Sequence, residues 1–205
     1  FTLHEIETGL AAAQTVVPGA FLGGDTVDLA VVRVDDATPH VRVYALDGEA
    51  WTEKLDAPLR DGIVFVDVAA IDGDDRLITY ADGMLSWFDP AQRAEHGLLE
   101  TPCDFDPKRA DVVHLDVSRD VNGDGRDDLV VPDGGGFWVA TQLDDGVFGD
   151  DGCDADRSDA ICSSLPAISF ATLFIFFSNF LANVPETVFD DFCSVGWRRR
   201  GEEEG

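Results

Sequence analysis

Apolar residues in this chain come in short, largely β-branched runs broken by aspartate, glycine and proline, a pattern that predicts strands joined by turns. Asp28-Leu29-Ala30-Val31-Val32 leads through a polar turn to Val41-Arg42-Val43-Tyr44-Ala45-Leu46, and then to Asp47-Gly48-Glu49-Ala50-Trp51. Arg76-Leu77-Ile78-Thr79-Tyr80 is followed by an Asp82-Gly83 turn and by Met84-Leu85-Ser86-Trp87-Phe88. Leu129 to Pro132 leads through the glycine turn Gly134-Gly135-Gly136 to Phe137 to Leu143, and then to Asp144-Asp145-Gly146-Val147-Phe148. A further strand precedes the last two of these groups, Val64 to Val68 in one and Val112 to Val117 in the other. Leu29, Leu77 and Leu129 align, so the pattern recurs about every 50 residues, the spacing of a repeat architecture rather than of one continuous sheet. The expected fold class is all-β.

The segment that enters the third group carries chemistry. Asp120-Val121-Asn122-Gly123-Asp124-Gly125-Arg126-Asp127-Asp128 places oxygen side chains at positions 1, 3 and 5, a glycine at 6 and a carboxylate at 9. Calcium is a hard cation that takes six to eight oxygen ligands, and alternate side chains in a tight loop point to one side. Gly125 allows a backbone turn that a Cβ would obstruct. The expected ligands are the side chains of Asp120, Asn122, Asp124 and Asp128 and the backbone carbonyl of Arg126, with Ca2+ as the ion. A solvated Asp/Asn/Gly turn uses the same residue types, but five suitable positions in register are hard to obtain by chance. An EF-hand needs a bidentate Glu at position 12 and flanking helices. Position 12 here is Val131, inside an apolar run that favours a strand. A dockerin-type loop also asks for an acidic residue there.

A loop closed by Asp at position 9 and leading into a strand resembles the FG-GAP or VCBS repeat of integrin-type β-propellers. The resemblance implies three propeller-type blades, a partial propeller, over 1–149 (about 1–51, 52–98 and 99–149). The metal role transfers to one loop only. In the first group the residues facing Asp120, Asn122 and Asp124 are Ala20, Leu22 and Gly24, and Asp28 alone survives. In the second, Asp72 keeps position 5 while Arg76 replaces the closing aspartate, leaving an acidic Asp72-Gly73-Asp74-Asp75 with weak attraction for a cation. Closed propellers usually have four to eight blades. With no signal peptide ahead of Phe1, the expectation is a fragment of a larger propeller, a truncated product, or a chain matured by signal removal.

The formal net charge of −27 changes the list of partners. Such a field repels phosphate backbones and argues against nucleic acid. It also repels itself in the compact state, a strain that divalent cations or salt relieve. Adaptation to a saline habitat or simple solubility would use the same composition. Cys103, Cys153, Cys162 and Cys193 are irregularly spaced and form no zinc pattern. An extracellular chain could pair Cys153 with Cys162; buried thiols are the alternative.

No catalytic constellation stands out. His4, His40, His96 and His114 are scattered, and His114 falls in an expected strand where packing or pairing explains it. Trp51, Trp87, Trp138 and Phe148 recur with the pattern and are read as sheet packing rather than a carbohydrate platform. The glycine turn at 134–136 lacks the Lys and Ser/Thr of a phosphate loop. The chain is therefore expected not to be an enzyme.

After Asp150 the pattern stops, and 150–205 is a divergent tail. Residues 165–184 run uncharged for long enough to span a bilayer as a helix, with Arg198-Arg199-Arg200 beyond them. Asn179, Asn183 and several Ser and Thr make that span only marginally apolar. A packed or edge-covering segment and a non-native tail are the alternatives. The expected function is a non-catalytic, extracellular calcium-binding β-propeller repeat segment serving surface recognition or adhesion, with a protein or glycan ligand at the cell surface. A periplasmic location would serve the same chemistry. The alternatives are an accessory part of a larger propeller enzyme and a membrane-anchored surface protein.

Overall fold

The computed structural model of the chain describes residues 15–24, 26–101, 112–133 and 136–149. The cysteines, the apolar segment 165–184 and His4 lie outside the described residues. Among the described residues there is no helix, and the fold is all-β with three sheets, none closed on itself.

The first sheet is an antiparallel meander of β1 (Thr15–Gly19), β2 (Asp28–Asp35), β3 (Thr38–Asp47) and β4 (Ala50–Pro58). The second runs β5 (Phe65–Ile71), β6 (Asp74–Ala81), β7 (Met84–Asp89) and β8 (Ala94–Glu100), with β9 (Val113–His114) added parallel to β5 on its free side. The third comprises β10 (Ser118–Arg119), β11 (Asp128–Asp133), β12 (Gly136–Gln142) and β13 (Phe148–Gly149). The run Val112 to Val117, expected as one strand, is divided. Val113 and His114 pair with the second sheet, Ser118 and Arg119 pair with the third, and the chain changes sheets between them.

Tight turns follow from residue choice. Asp36-Ala37, Asp72-Gly73 and Asp82-Gly83 each connect two strands with both residues at positive φ. That is the type I′ geometry whose twist matches a hairpin, and Asp-Gly supplies it at little cost. Ala37, at φ 71°, carries a Cβ into the same region.

The first two sheets share one apolar core. Val17, Ala30, Val32, Val41, Val43, Leu55 and Ala57 of the first pack with Val66, Leu77, Ala81 and Phe88 of the second. The third sheet buries Val117, Leu129, Val131, Ala140 and Phe148. It meets the second sheet through hydrogen-bonded polar groups. Asp67 of β5 is buried and its Oδ2 accepts from the amides of Val117 (2.7 Å) and Ser118 (2.8 Å) and from Ser118 Oγ (2.9 Å).

A smaller carboxylate contact occurs at both seams. Asp75 Oδ2 accepts from the amide of Ala20 at 2.8 Å, and Asp127 Oδ2 accepts from the amide of Ala70 at 2.8 Å. Leu29, Leu77 and Leu129 sit opposite Pro18, Val68 and Ser118, so Asp75 and Asp127 hold the same place, two residues before the leucine. In the first sheet that place is Val27, exposed to 57 %.

Ala37 gives a direct test of the hairpin geometry. A left-handed conformation costs an L-residue roughly 1–2 kcal/mol, and glycine returns about 0.5–1 kcal/mol of that as unfolded-state entropy. Ala37→Gly is expected to stabilise the chain by about 0.5–1 kcal/mol in urea unfolding; a loss of stability would mean the turn is not strained at Ala37.

Candidate metal centre

The loop between β10 and β11 is built by its own carboxylates. Asp120 Oδ1 accepts from the amides of Gly123 (2.6 Å) and Asp124 (3.1 Å), and Oδ2 accepts from that of Gly125 (2.8 Å). Asn122 Oδ1 also accepts from the Asp124 amide, at 2.9 Å, while its Nδ2 donates to Asp124 Oδ2 at 3.0 Å. Gly123 and Gly125 sit at φ 84° and 87°, a left-handed region open to glycine without penalty. These bonds curl 120–126 around the side chain at position 1, as an Asx-rich turn does.

Asp128 has a different role from the others. It is fully buried, with Oδ2 accepting from the amide of Val121 and Oδ1 from that of Gln142, both at 3.0 Å. It thus ties the start of the loop to the end of β12. Burial pushes its pKa up, and the amides of Gln142 and Val121 pull it back only in part. Asp124 is held below the usual carboxylate range, chiefly by the Arg126 amide, which donates to it at 2.9 Å.

Arg126 enters with its side chain. Its guanidinium donates to Asp124, to Asp144 Oδ1 (2.8 Å) and, through Nε, to the carbonyl of Gln142 (2.9 Å). It therefore places a positive charge at the mouth of the loop. Gln142, itself buried, donates from Nε2 to the carbonyls of Ala70 (2.9 Å) and Asp127 (3.0 Å). Asp128, Gln142, Ala70 and Asp127 thereby make one polar cluster linking the loop to the second sheet.

The donor set of the loop is chemically suited to a hard cation, since every side-chain donor is an oxygen. Each carboxylate oxygen has more than one lone pair, so an amide contact does not exhaust it. In their present positions the carboxylates turn onto backbone amides. Among the described residues no three His, Cys, Asp or Glu side chains gather into a group able to hold a metal ion.

The two other groups show what the same positions do elsewhere. Asp28 is buried and its Oδ2 accepts from the amide of Leu22 at 2.9 Å, the place that Asn122 holds in the third group, whereas Asp128 accepts from Val121, one residue earlier. In the second group, Asp72-Gly73 is a hairpin turn, Asp74 pairs with Arg76 at 2.9 Å, and Asp75 is committed to Ala20. Arg76 lies over Trp87 at 4.6 Å, and His96 stacks on Trp87 at 4.7 Å. The flanking of this indole by both side chains leaves it poorly suited as a sugar platform. Trp51 and Trp138 are half-buried, and Phe148 is buried.

Residues outside the predicted loop hold a second connected polar site. His114 Nε2 lies 3.0 Å from Asp67 Oδ1, and Ser118 Oγ lies within hydrogen-bond distance of both Asp67 Oδ2 and the carbonyl of Val68, which share its one proton. A serine, a histidine and an aspartate thus meet. The hydroxyl, however, is engaged by the carboxylate and a carbonyl rather than by the imidazole, so this is not the relay of a nucleophilic triad. The sequence does carry a signal for this site. An aspartate amid Phe65-Val66 and Val68-Ala69 is a charge in a buried strand, and such a charge requires partners. His40 and Arg42 bond Asp56 on the first sheet, at 3.3 Å and 2.8 Å, and with Arg33 and Asp35 form a cross-strand ion-pair network. Among the described residues no helix is long and apolar enough to cross a membrane.

In comparisons with known proteins, the chain matches no family model, no curated protein and no solved structure.

The two kinds of carboxylate in the loop separate by mutation. Asp128→Ala leaves the amides of Val121 and Gln142 without an acceptor and is expected to cost about 3 kcal/mol in chelator. Asp124→Ala, at an exposed position, is expected to cost far less than Asp128→Ala. Equal losses in urea unfolding would show that Asp128 is not the loop's anchor.

Proposed function

We propose that the chain is a non-catalytic, extracellular calcium-binding β-propeller repeat segment of the FG-GAP or VCBS type, serving surface recognition or adhesion. The observation that carries the reading is the 120–128 loop. It joins two strands of one sheet and presents alternate oxygen side chains on a backbone turned by two left-handed glycines. The three successive sheets are read as three blades, and their inner strands β1, β5 and β10 as the strands nearest the propeller axis.

Asp120, Asn122, Asp124 and Asp128 would hold the ion through side-chain oxygens, and Arg126 through its carbonyl. A bound calcium ion would supply positive charge to a cluster of carboxylates and hold the loop shut, which is folding energy rather than catalysis. The residues' own contributions are distinct. Asp120 organises the turn, Asp128 fastens it to β12, and Arg126 offsets the charge of Asp124 and Asp144. The excess of acidic side chains favours an ion-rich exterior, and the variable loops at the strand ends are where a protein or glycan ligand would be recognised.

Thermal unfolding tests the reading. At an ion concentration a hundredfold above the dissociation constant, a single site adds about 2.7 kcal/mol. The melting temperature is expected to rise with calcium, to rise much less with magnesium at matched ionic strength, and to return to baseline with chelator. Asp124→Ala is expected to remove the calcium-specific rise, while Asp72→Ala leaves it in place. An equal response to both ions, or equal losses from both variants, would reduce the effect to diffuse charge screening.

A further inference from the structure

The chain crosses from the second sheet to the third between His114 and Ser118, and the crossing is held by one buried carboxylate. Asp67 Oδ2 receives the amides of Val117 and Ser118 and the Ser118 hydroxyl, while Asp67 Oδ1 faces His114 Nε2 at 3.0 Å. Three of these four donors are permanently neutral. The imidazole alone can change its charge near physiological pH.

We propose that the His114–Asp67 pair is a proton-operated latch on the sheet crossing, holding Val117 and Ser118 against β5 more tightly when the imidazole is protonated. The latch is electrostatic. A hydrogen bond from a cation to a carboxylate is about twice as strong as one from a neutral donor. Asp67 is buried, so its charge is poorly screened by water, and the neighbouring half-exposed imidazole can still exchange its proton with solvent. The surroundings bias the imidazole toward its charged form. The bond to Asp67 raises its pKa, burial opposes this, and the charges of Asp67 and Asp116 add to the rise. The other elements around it do not cancel that bias. β1, packed against β9, carries no titratable side chain, and β5 carries only Asp67. Arg119 of β10 is paired with Asp116.

The sign follows from the raised pKa. The extra stability is fully present below the unfolded value of about 6.5, and is lost as pH rises through the higher folded-state value. The proposal concerns the seam and is independent of any metal in the 120–128 loop.

Amide hydrogen exchange of the whole chain, in chelator and expressed as protection factors from pH 5.5 to 9, tests it. Protection of the Val117 and Ser118 amides is expected to fall roughly threefold across the titration of His114, the modest size reflecting its partial exposure. Amides of the β2–β3 ladder are expected to hold steady. His114→Gln keeps a donor for Asp67 but cannot gain charge, and is expected to fold normally and show no step. A step of equal size in the variant, a flat profile in the wild type, or a parallel change across all three sheets would each overturn the latch.

Discussion

Asp67 is a charge buried in the middle of an apolar strand, and the joining of the second and third sheets depends on how that charge is satisfied. A buried carboxylate without partners would be untenable at neutral pH. Here it is solvated by the protein itself, through two backbone amides, a hydroxyl and an imidazole supplied from residues 114–118. The need is reciprocal. Beyond Leu115, whose amide still bonds the carbonyl of Val66, the backbone leaves one sheet before it enters the next, and amides in such a passage lose their ladder partners. Asp67 gives two of them an acceptor. The sheet crossing and the buried charge each remove the other's penalty.

The seams between sheets divide the work between two chemistries. The first two sheets share an apolar core, which is non-directional and tolerant of small displacements. The third is positioned against the second by directed bonds, with Asp67 at the crossing and Asp127 and Gln142 meeting the two backbone groups of Ala70. The contact common to both seams is a carboxylate two residues ahead of the leucine, on the amide of Ala20 in one and of Ala70 in the other. This gives a physical reason for Asp75 and Asp127 that does not involve a cation, although both adjoin residues that align with the acidic loop.

Much of the strand plan was legible because burial on a pleated surface selects residue types locally. Val41 to Leu46, Arg76 to Tyr80, Met84 to Phe88 and Phe137 to Gln142 all lie in strands, and Asp82-Gly83 makes the expected turn, while Asp72-Gly73, read as part of an acidic stretch, is a hairpin turn too. What was not legible depends on contacts between sheets. Ala50–Pro58 is an edge strand with charged and exposed positions, so it carries little apolar signal. The split of Val112 to Val117 is decided by Asp67, far away in sequence. Arg76 stands where a ligand would be, and its stacking on Trp87 became visible only once β6 and β7 were paired.

The candidate loop was legible as an oxygen-rich turn, but residue types alone do not separate a ligand from an acceptor of backbone amides. Asp28 makes the distinction concrete. Its group has Ala20, Leu22 and Gly24 in place of the upstream ligands, yet the aspartate at position 9 is retained and bonds the amide of Leu22. Closing the loop is therefore sufficient reason for a buried aspartate at this position, and Asp128 makes a similar closure one residue earlier, with Val121, while also reaching Gln142. Position 9 thus carries less information about an ion than its place in the pattern suggests. The discriminating residues are Asp120, Asn122 and Asp124, for which the first group offers no counterpart. Asp124 is the most informative of them, because it is exposed and its loss leaves the loop's attachment to β12 intact.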